Sequence, residues 1–242
     1  MTAEPWIRWA PTSRALVLTV GLMATVAVVG RYGPHGSMLV AGPLGALLLL
    51  LLARSAGLDA DDVGLDRRTW RRGAAYALVC VGAVAVVYVV AAALPATRSA
   101  FLDERYRSGM SEAMLTAFVV IPLGTILFEE VAFRGVLWGL VRKGWGTTTA
   151  TLVSSALFGL WHVLPSLRLN QVNPAVTGLV GSGPAGQLLA VAGAVLFTGT
   201  SGLLFCELRR RSGSLLAPIG LHWAVNGLGV LVTAGMAGWH RW

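Results

Sequence analysis

Long apolar runs alternate along the chain with short polar breaks that carry most of its arginines. The runs cover 15–30, 38–53, 74–94, 113–141, 148–164, 187–206 and 214–238. A spanning helix needs about 20 mostly apolar residues to cross a hydrocarbon core of about 30 Å. The pattern therefore predicts an all-α polytopic transmembrane helix bundle of about seven spans, forming a single membrane domain over residues 1–242. The segment 165–186 contains NPAVTGLVGSGPAG, too broken by Gly and Pro to span, and has room for a short eighth helix. Pro122 and Gly124 inside the long 113–141 run predict either a kink there or a beginning as an interfacial turn. The first run has no small-x-small cleavage site followed by a soluble domain, so it is read as a retained span.

Composition agrees with lipid as the solvent. The chain is 55% hydrophobic and 12% charged, with a mean hydropathy of +0.70, far from the soluble globular range. A net charge of +8 does not point to nucleic acid, because the arginines fall in short clusters between apolar runs, where they anchor loops against anionic headgroups. Lys143 is the one lysine; with abundant Ala, Gly and Val, this usage points to a GC-rich bacterial genome and a bacterial cell membrane. Cys80 and Cys206 stand alone in apolar segments and read as small buried hydrophobes.

With seven spans, one side receives Arg8, Arg14, Arg54, Arg67, Arg68, Arg71, Arg72, Arg142, Lys143, Arg209, Arg210 and Arg211. The other receives Arg31, Arg98, Arg105, Arg107, Arg168 and Arg241. The excess on the first side predicts a cytoplasmic N-terminus. DADDVGLDRRTWRRG (59–73), with its mixed acids and arginines, is expected to lie along that surface as a solvated face.

Against this apolar background, FEEVAFR (128–134) places Glu129, Glu130 and Arg134 inside a span. A charge at the bilayer centre costs about 2.5–3.5 kcal/mol on insertion scales, so these groups must face inward and pair. Glu130 and Arg134 are spaced i,i+4, within reach of an ion pair. Glu129 is offset from Glu130 by roughly 100° and has no partner in its own segment, which makes it the candidate working carboxylate. FGLWH (158–162) sets Phe158 and His162 on one helix face, and HWAVN (222–226) does the same for His222 and Asn226. His35 and His240 lie outside the spans. Measured along their helices, Glu129, His162 and His222 sit about 20, 22 and 12 Å from the ends on the arginine-rich side, depths that overlap within the core.

EExxxR, FxxxH and HxxxN, in this order and on three spans, resemble the motifs of the CAAX-protease and bacteriocin-processing (Abi) family of intramembrane proteases, which includes type II CAAX prenyl endopeptidases. The resemblance covers roughly 113–238, which it makes the catalytic core around an intramembrane cavity. It implies an endopeptidase that hydrolyses a peptide bond of a membrane-associated protein or peptide with an activated water. The catalytic set would be Glu129, Glu130, His162, His222 and Asn226, supported by Arg134 and Phe158. Peptide hydrolysis needs a base for water and donors for the developing oxyanion. Glu129 fits the base, with His162 orienting the water; the resemblance assigns His222 and the Asn226 amide to the oxyanion. Arg134 reads as the partner of Glu130, and Phe158 as packing. The family is read both as metalloproteases and as metal-free glutamate proteases, so one divalent metal such as zinc stays open, with Glu129, His162 and His222 as candidate ligands. A proton-coupled transporter, or a non-enzymatic membrane scaffold using the same buried groups, is the alternative. The inverted repeats and broken helix pairs common in transporters are not evident. Gly135 and Gly139 form GxxxG, expected to permit close helix contact.

Overall fold

A computed structural model describes residues 9–101 and 109–239. Arg8, Arg105, Arg107, His240 and Arg241, used or set aside above, lie outside the described residues. Within them every regular element is helical, and no strand occurs. Six segments are long and apolar enough to cross a membrane, the longest being Met110–Ser166 at 57 residues. Gly146 bends that segment with φ 83° and ψ 172°, a backbone no L side chain adopts without strain. The bend yields two arms, so the runs expected at 113–141 and 148–164 are both present, joined by one break.

We label the membrane-scale helices α1 (Trp9–Tyr32), α2 (Met38–Ser55), α3 (Trp70–Ala93), α4 (110–145), α5 (147–161), α6 (Pro184–Ser212) and α7 (Leu216–Met236). Between α5 and α6 the chain makes three short helical pieces, Val163–Ser166, Leu169–Val172 and Pro174–Val180. The last starts on a cap in which Asn173 Oδ1 accepts from the N–H groups of Ala175 and Val176, at 3.1 and 3.3 Å. This is the short helix the broken 165–186 segment had room for.

Small residues let the helices approach, as expected where lipid offers no hydrophobic drive for association. A Cβ on Gly159 of α5 would lie 2.7 Å from the Val195 carbonyl of α6, and one on Gly42 of α2 would lie 2.6 Å from the Leu123 carbonyl of α4. On Gly220 of α7 a Cβ would come within 2.4 Å of Ala77 on α3. Helix α3 is peripheral and buries Gly73 alone, leaving Leu78, Val79 and Val86 on its outer face, as a lipid-facing helix does.

Helix α4 is not regular. Thr116–Val120, Pro122–Ile126 and Val131–Leu137 are π-helical, and Leu127–Glu130 is a single α-turn between them. Pro122 lacks the N–H of a regular turn and its ring crowds the carbonyl four residues back, which accounts for the widened turns on either side of it. Phe128, Ala132, Phe133, Arg134, Val136 and Leu137 are fully or almost fully buried, which makes α4 the centre of the core.

The expectations for the connecting segments need refining. Within 59–73, Asp59, Asp61, Arg67, Arg68, Arg71 and Arg72 are exposed, as a solvated face requires, while the apolar residues of the 56–66 loop turn inward. Leu58 and Val63 are buried, Asp59 and Asp62 exchange backbone-to-carboxylate hydrogen bonds of 2.8 and 3.1 Å, and Asp62 takes Arg142 at 2.7 Å and Lys143 at 3.6 Å. Arg209, itself buried, donates to the carbonyls of Asp61 and Asp62, and the Gly64 carbonyl accepts from Leu215 N–H at 2.9 Å. The loop thus ties the ends of α4, α6 and α7 together. GxxxG serves this loop rather than a neighbouring helix: a Cβ on Gly139 would sit 2.7 Å from Leu58 and 3.0 Å from the Asp62 carbonyl, and one on Gly135 would sit 3.4 Å from the Val63 carbonyl.

Candidate active site

The α-turn Leu127–Glu130 presents two adjacent carboxylates to different neighbours. Glu130 is fully buried, and its Oε1 accepts from Arg134 Nη1 at 3.1 Å, the i,i+4 pair expected from the spacing. The same oxygen accepts from His222 Nδ1 at 2.7 Å, across from α7. Glu129, about 100° around the helix, faces α5 and the cavity. Its Oε1 accepts from the Trp161 indole N–H at 2.9 Å. Its Oε2 is buried without a hydrogen-bond partner and lies 3.8 Å from His222 Nε2.

Aromatic rings wall this cluster. The Arg134 guanidinium lies 3.9 Å from the Phe158 ring centroid and 4.6 Å from that of Phe205, a cation–π enclosure that offsets part of its desolvation. Phe205 also stacks on His222, with centroids 5.4 Å apart. Phe158 therefore packs, as expected, both within the hydrophobic core and over the cation. His162 directly follows α5 and is half-buried; its Nδ1–H donates to the Phe158 carbonyl at 2.8 Å, and its ring meets Phe158 edge-on at 4.7 Å. That bond leaves Nε2 as the free nitrogen of His162.

Glu129, Trp161, His162 and Asn226 all border a cavity of ≈ 940 Å³. Its remaining wall is mostly aliphatic, with Val26 and Ala27 contributed by α1 and Leu189 and Phe197 by α6. Glu130, Arg134 and His222 lie behind Glu129 rather than on the wall. The predicted residues are thus brought together in two layers: a buried Arg134–Glu130–His222 chain, and a cavity-facing set of Glu129, His162 and Asn226.

Residues 111–228 match the family model described as type II CAAX prenyl endopeptidase Rce1-like. The chain carries an Rce1-like domain. No curated protein matches the chain, and no solved structure does. The Rce1-like domain begins in the first turn of α4 and ends just past the HWAVN stretch, close to the 113–238 core expected from the motifs. It leaves α1 to α3 outside, although α1 supplies part of the cavity wall and the 56–66 loop supplies the tie across α4, α6 and α7.

The three residues weighed as zinc ligands fit that role incompletely. Glu129 and His222 approach one another, but among the described residues no three His, Cys, Asp or Glu side chains are grouped closely enough to hold a metal. A catalytic zinc uses three protein ligands.

Sequence reasoning missed Trp161, although it stands immediately before His162 in FGLWH. The usable signal was chemical: an indole N–H within the membrane must find an acceptor, and an unpaired carboxylate at similar depth was on offer. It also missed the cross-helix bond from His222 to Glu130, since spacing within a helix says nothing about which carboxylate a distant helix will meet.

Proposed function

We propose that the chain is an intramembrane endopeptidase that hydrolyses a peptide bond of a membrane-associated protein or peptide, with 113–238 as its catalytic core. The observation that carries the reading is Glu129 Oε2: a buried, unpartnered carboxylate oxygen beside His222 Nε2, reached from an apolar cavity. Their 3.8 Å separation is too long for a direct hydrogen bond and suits one polar atom held between them.

In the proposed reactive state a water sits between Glu129 and the scissile carbonyl, oriented by His162 Nε2. Glu129 Oε2 takes a proton from the water as its oxygen bonds to the carbonyl carbon. His222 is held at Nδ1 by Glu130 beside the base, and the Asn226 amide on the cavity wall donates to the oxyanion. The C–N bond then breaks, and the proton on Glu129 passes to the departing amine. Arg134 balances Glu130, so that Glu130 can anchor His222 as a carboxylate. The aliphatic cavity wall suits an apolar segment next to the cleaved bond, in keeping with the prenyl endopeptidase description of the matching family.

The test is cleavage of a membrane-peptide library by the purified protein in detergent. Glu129→Ala and His162→Ala should abolish cleavage while leaving the protein folded. Folded variants that cleave like the wild type would remove the assignment.

A further inference from the structure

Glu129 has a second requirement that the three motifs do not account for. The terminal torsion of a glutamate is broad and roughly two-fold, so a carboxylate held by nothing turns freely. A base aimed through one oxygen must have that oxygen fixed. Among the described residues, the side chain that donates to Glu129 is Trp161, whose indole N–H meets Oε1 at 2.9 Å. The indole is itself held: its ring lies 5.8 Å from Phe128 and meets Phe133 edge-on at 5.7 Å, and both phenylalanines are fully buried on the helix that carries Glu129. Trp161 is also the last residue of α5, followed by His162, whose ψ of 2° turns the chain out of the helix. The end of α5 therefore supplies both the indole to one oxygen of Glu129 and the imidazole that faces the cavity.

Resting on the protease reading above, we propose that Trp161 is a positioning residue for Glu129. Its N–H takes up Oε1 and so leaves Oε2 as the oxygen aimed at the water and at His222. The indole N–H is a better choice than a hydroxyl or an amide at this place. It donates without accepting, so it cannot compete with Glu129 for the proton of the water. Its apolar body completes the cavity wall, while the one polar atom faces inward.

Two replacements separate the donor from the ring. Trp161→Phe keeps an aromatic ring against Phe128 and Phe133 and removes the N–H. Benzothienylalanine at position 161 keeps the bicyclic shape and replaces N–H with sulfur. The probe is the peptide that the wild type cleaves fastest from the membrane library. A hydrogen bond to a charged group corresponds to roughly a 10- to 100-fold change in rate. Both replacements should lower kcat by about that factor, with KM changed less than about threefold and with thermal stability lowered only modestly, as for the loss of one hydrogen bond. Trp161→His, which restores a ring N–H, should recover part of the lost kcat. The proposal is overturned if the benzothienyl protein retains wild-type kcat, or if its kcat falls only in step with its stability. Glu129→Gln is run beside them. If it is inactive while the benzothienyl protein is fully active, the positioning role fails and the protease reading stands; if Glu129→Gln cleaves normally, the protease reading itself fails.

Discussion

Replacing Arg134 with alanine separates the two glutamates most sharply. The guanidinium is fully buried, bonded to Glu130 at 3.1 Å and enclosed by Phe158 and Phe205. Removing it strands the Glu130 carboxylate, a break that costs about 3–5 kcal/mol for a buried pair. The lost ring contacts add about 2 kcal/mol for a desolvated cation over aromatic faces. Against this, Arg134 Nε and Nη2 are buried without partners, and deleting them relieves about 1–3 kcal/mol each. Central values leave a net loss of about 2 kcal/mol, which for a chain of this size lowers the melting temperature by roughly 4–8 °C. Glu130→Gln should also destabilise, since it weakens the bonds to both Arg134 and His222. Glu129→Gln should leave the melting temperature nearly unchanged, because its Oε2 has no partner to lose. Thermal unfolding in detergent, followed by intrinsic fluorescence beside the cleavage assay, measures all three. An unchanged melting temperature for Arg134→Ala would refute the pairing argument. A destabilised Glu129→Gln together with a stable but inactive Glu130→Gln would exchange the roles of the two carboxylates.

The loop tie makes a pH-dependent prediction. Burial pushes the Asp62 carboxyl up, but the Asp59 N–H, the Arg142 hydrogen bond and the charges of Lys143 and Arg142 together hold it below its usual value of 3.8. A depressed carboxyl contributes stability that is present above its unfolded value and is lost as the pH falls through its folded value. The melting temperature of the wild type should therefore exceed that of Asp62→Asn at neutral pH, and the difference should shrink as the pH is lowered below 3.8; a difference that stays constant down to about pH 2 would disprove the tie. Topology is tested by labelling single cysteines in a background without Cys80 and Cys206. The arginine distribution predicts that Lys143→Cys reacts from the cytoplasm and Leu179→Cys from the opposite side, and the reverse pattern would overturn the orientation.

The architecture was legible wherever the physics is one-dimensional. Apolar runs of spanning length became helices, and Glu130 and Arg134 met because i,i+4 neighbours on one helix have little choice. Overlapping depths correctly put His222 within reach of the glutamates, yet depth does not say which of them it bonds; it is Glu130 that accepts from Nδ1. The exposed charges of 59–73 were legible as a solvated face, but a charge pattern does not show that the backbone carbonyls of Asp61 and Asp62 accept from buried Arg209 on a distant helix. Gly135 and Gly139 announced a close approach but not its partner, which is the loop. Trp161 was hidden by its surroundings: within an apolar run an aromatic adds nothing to periodicity, and its single donor matters only once Glu129 lies opposite.

The bond from His222 to Glu130 joins residues 92 positions apart in the chain. Ribosomes add about 5–20 residues per second, so Glu129, Glu130 and Arg134 are made roughly 5–20 s before the histidine that completes their cluster. The tie from Arg209 to the 56–66 loop closes over a still longer separation, 148 positions to Asp61. During this interval the newborn helices α1 to α5 already hold a carboxylate pair and a guanidinium but not the group set between them. If the cluster is the hydrolytic centre proposed above, it stays incomplete until the helix that carries His222 has entered the bilayer.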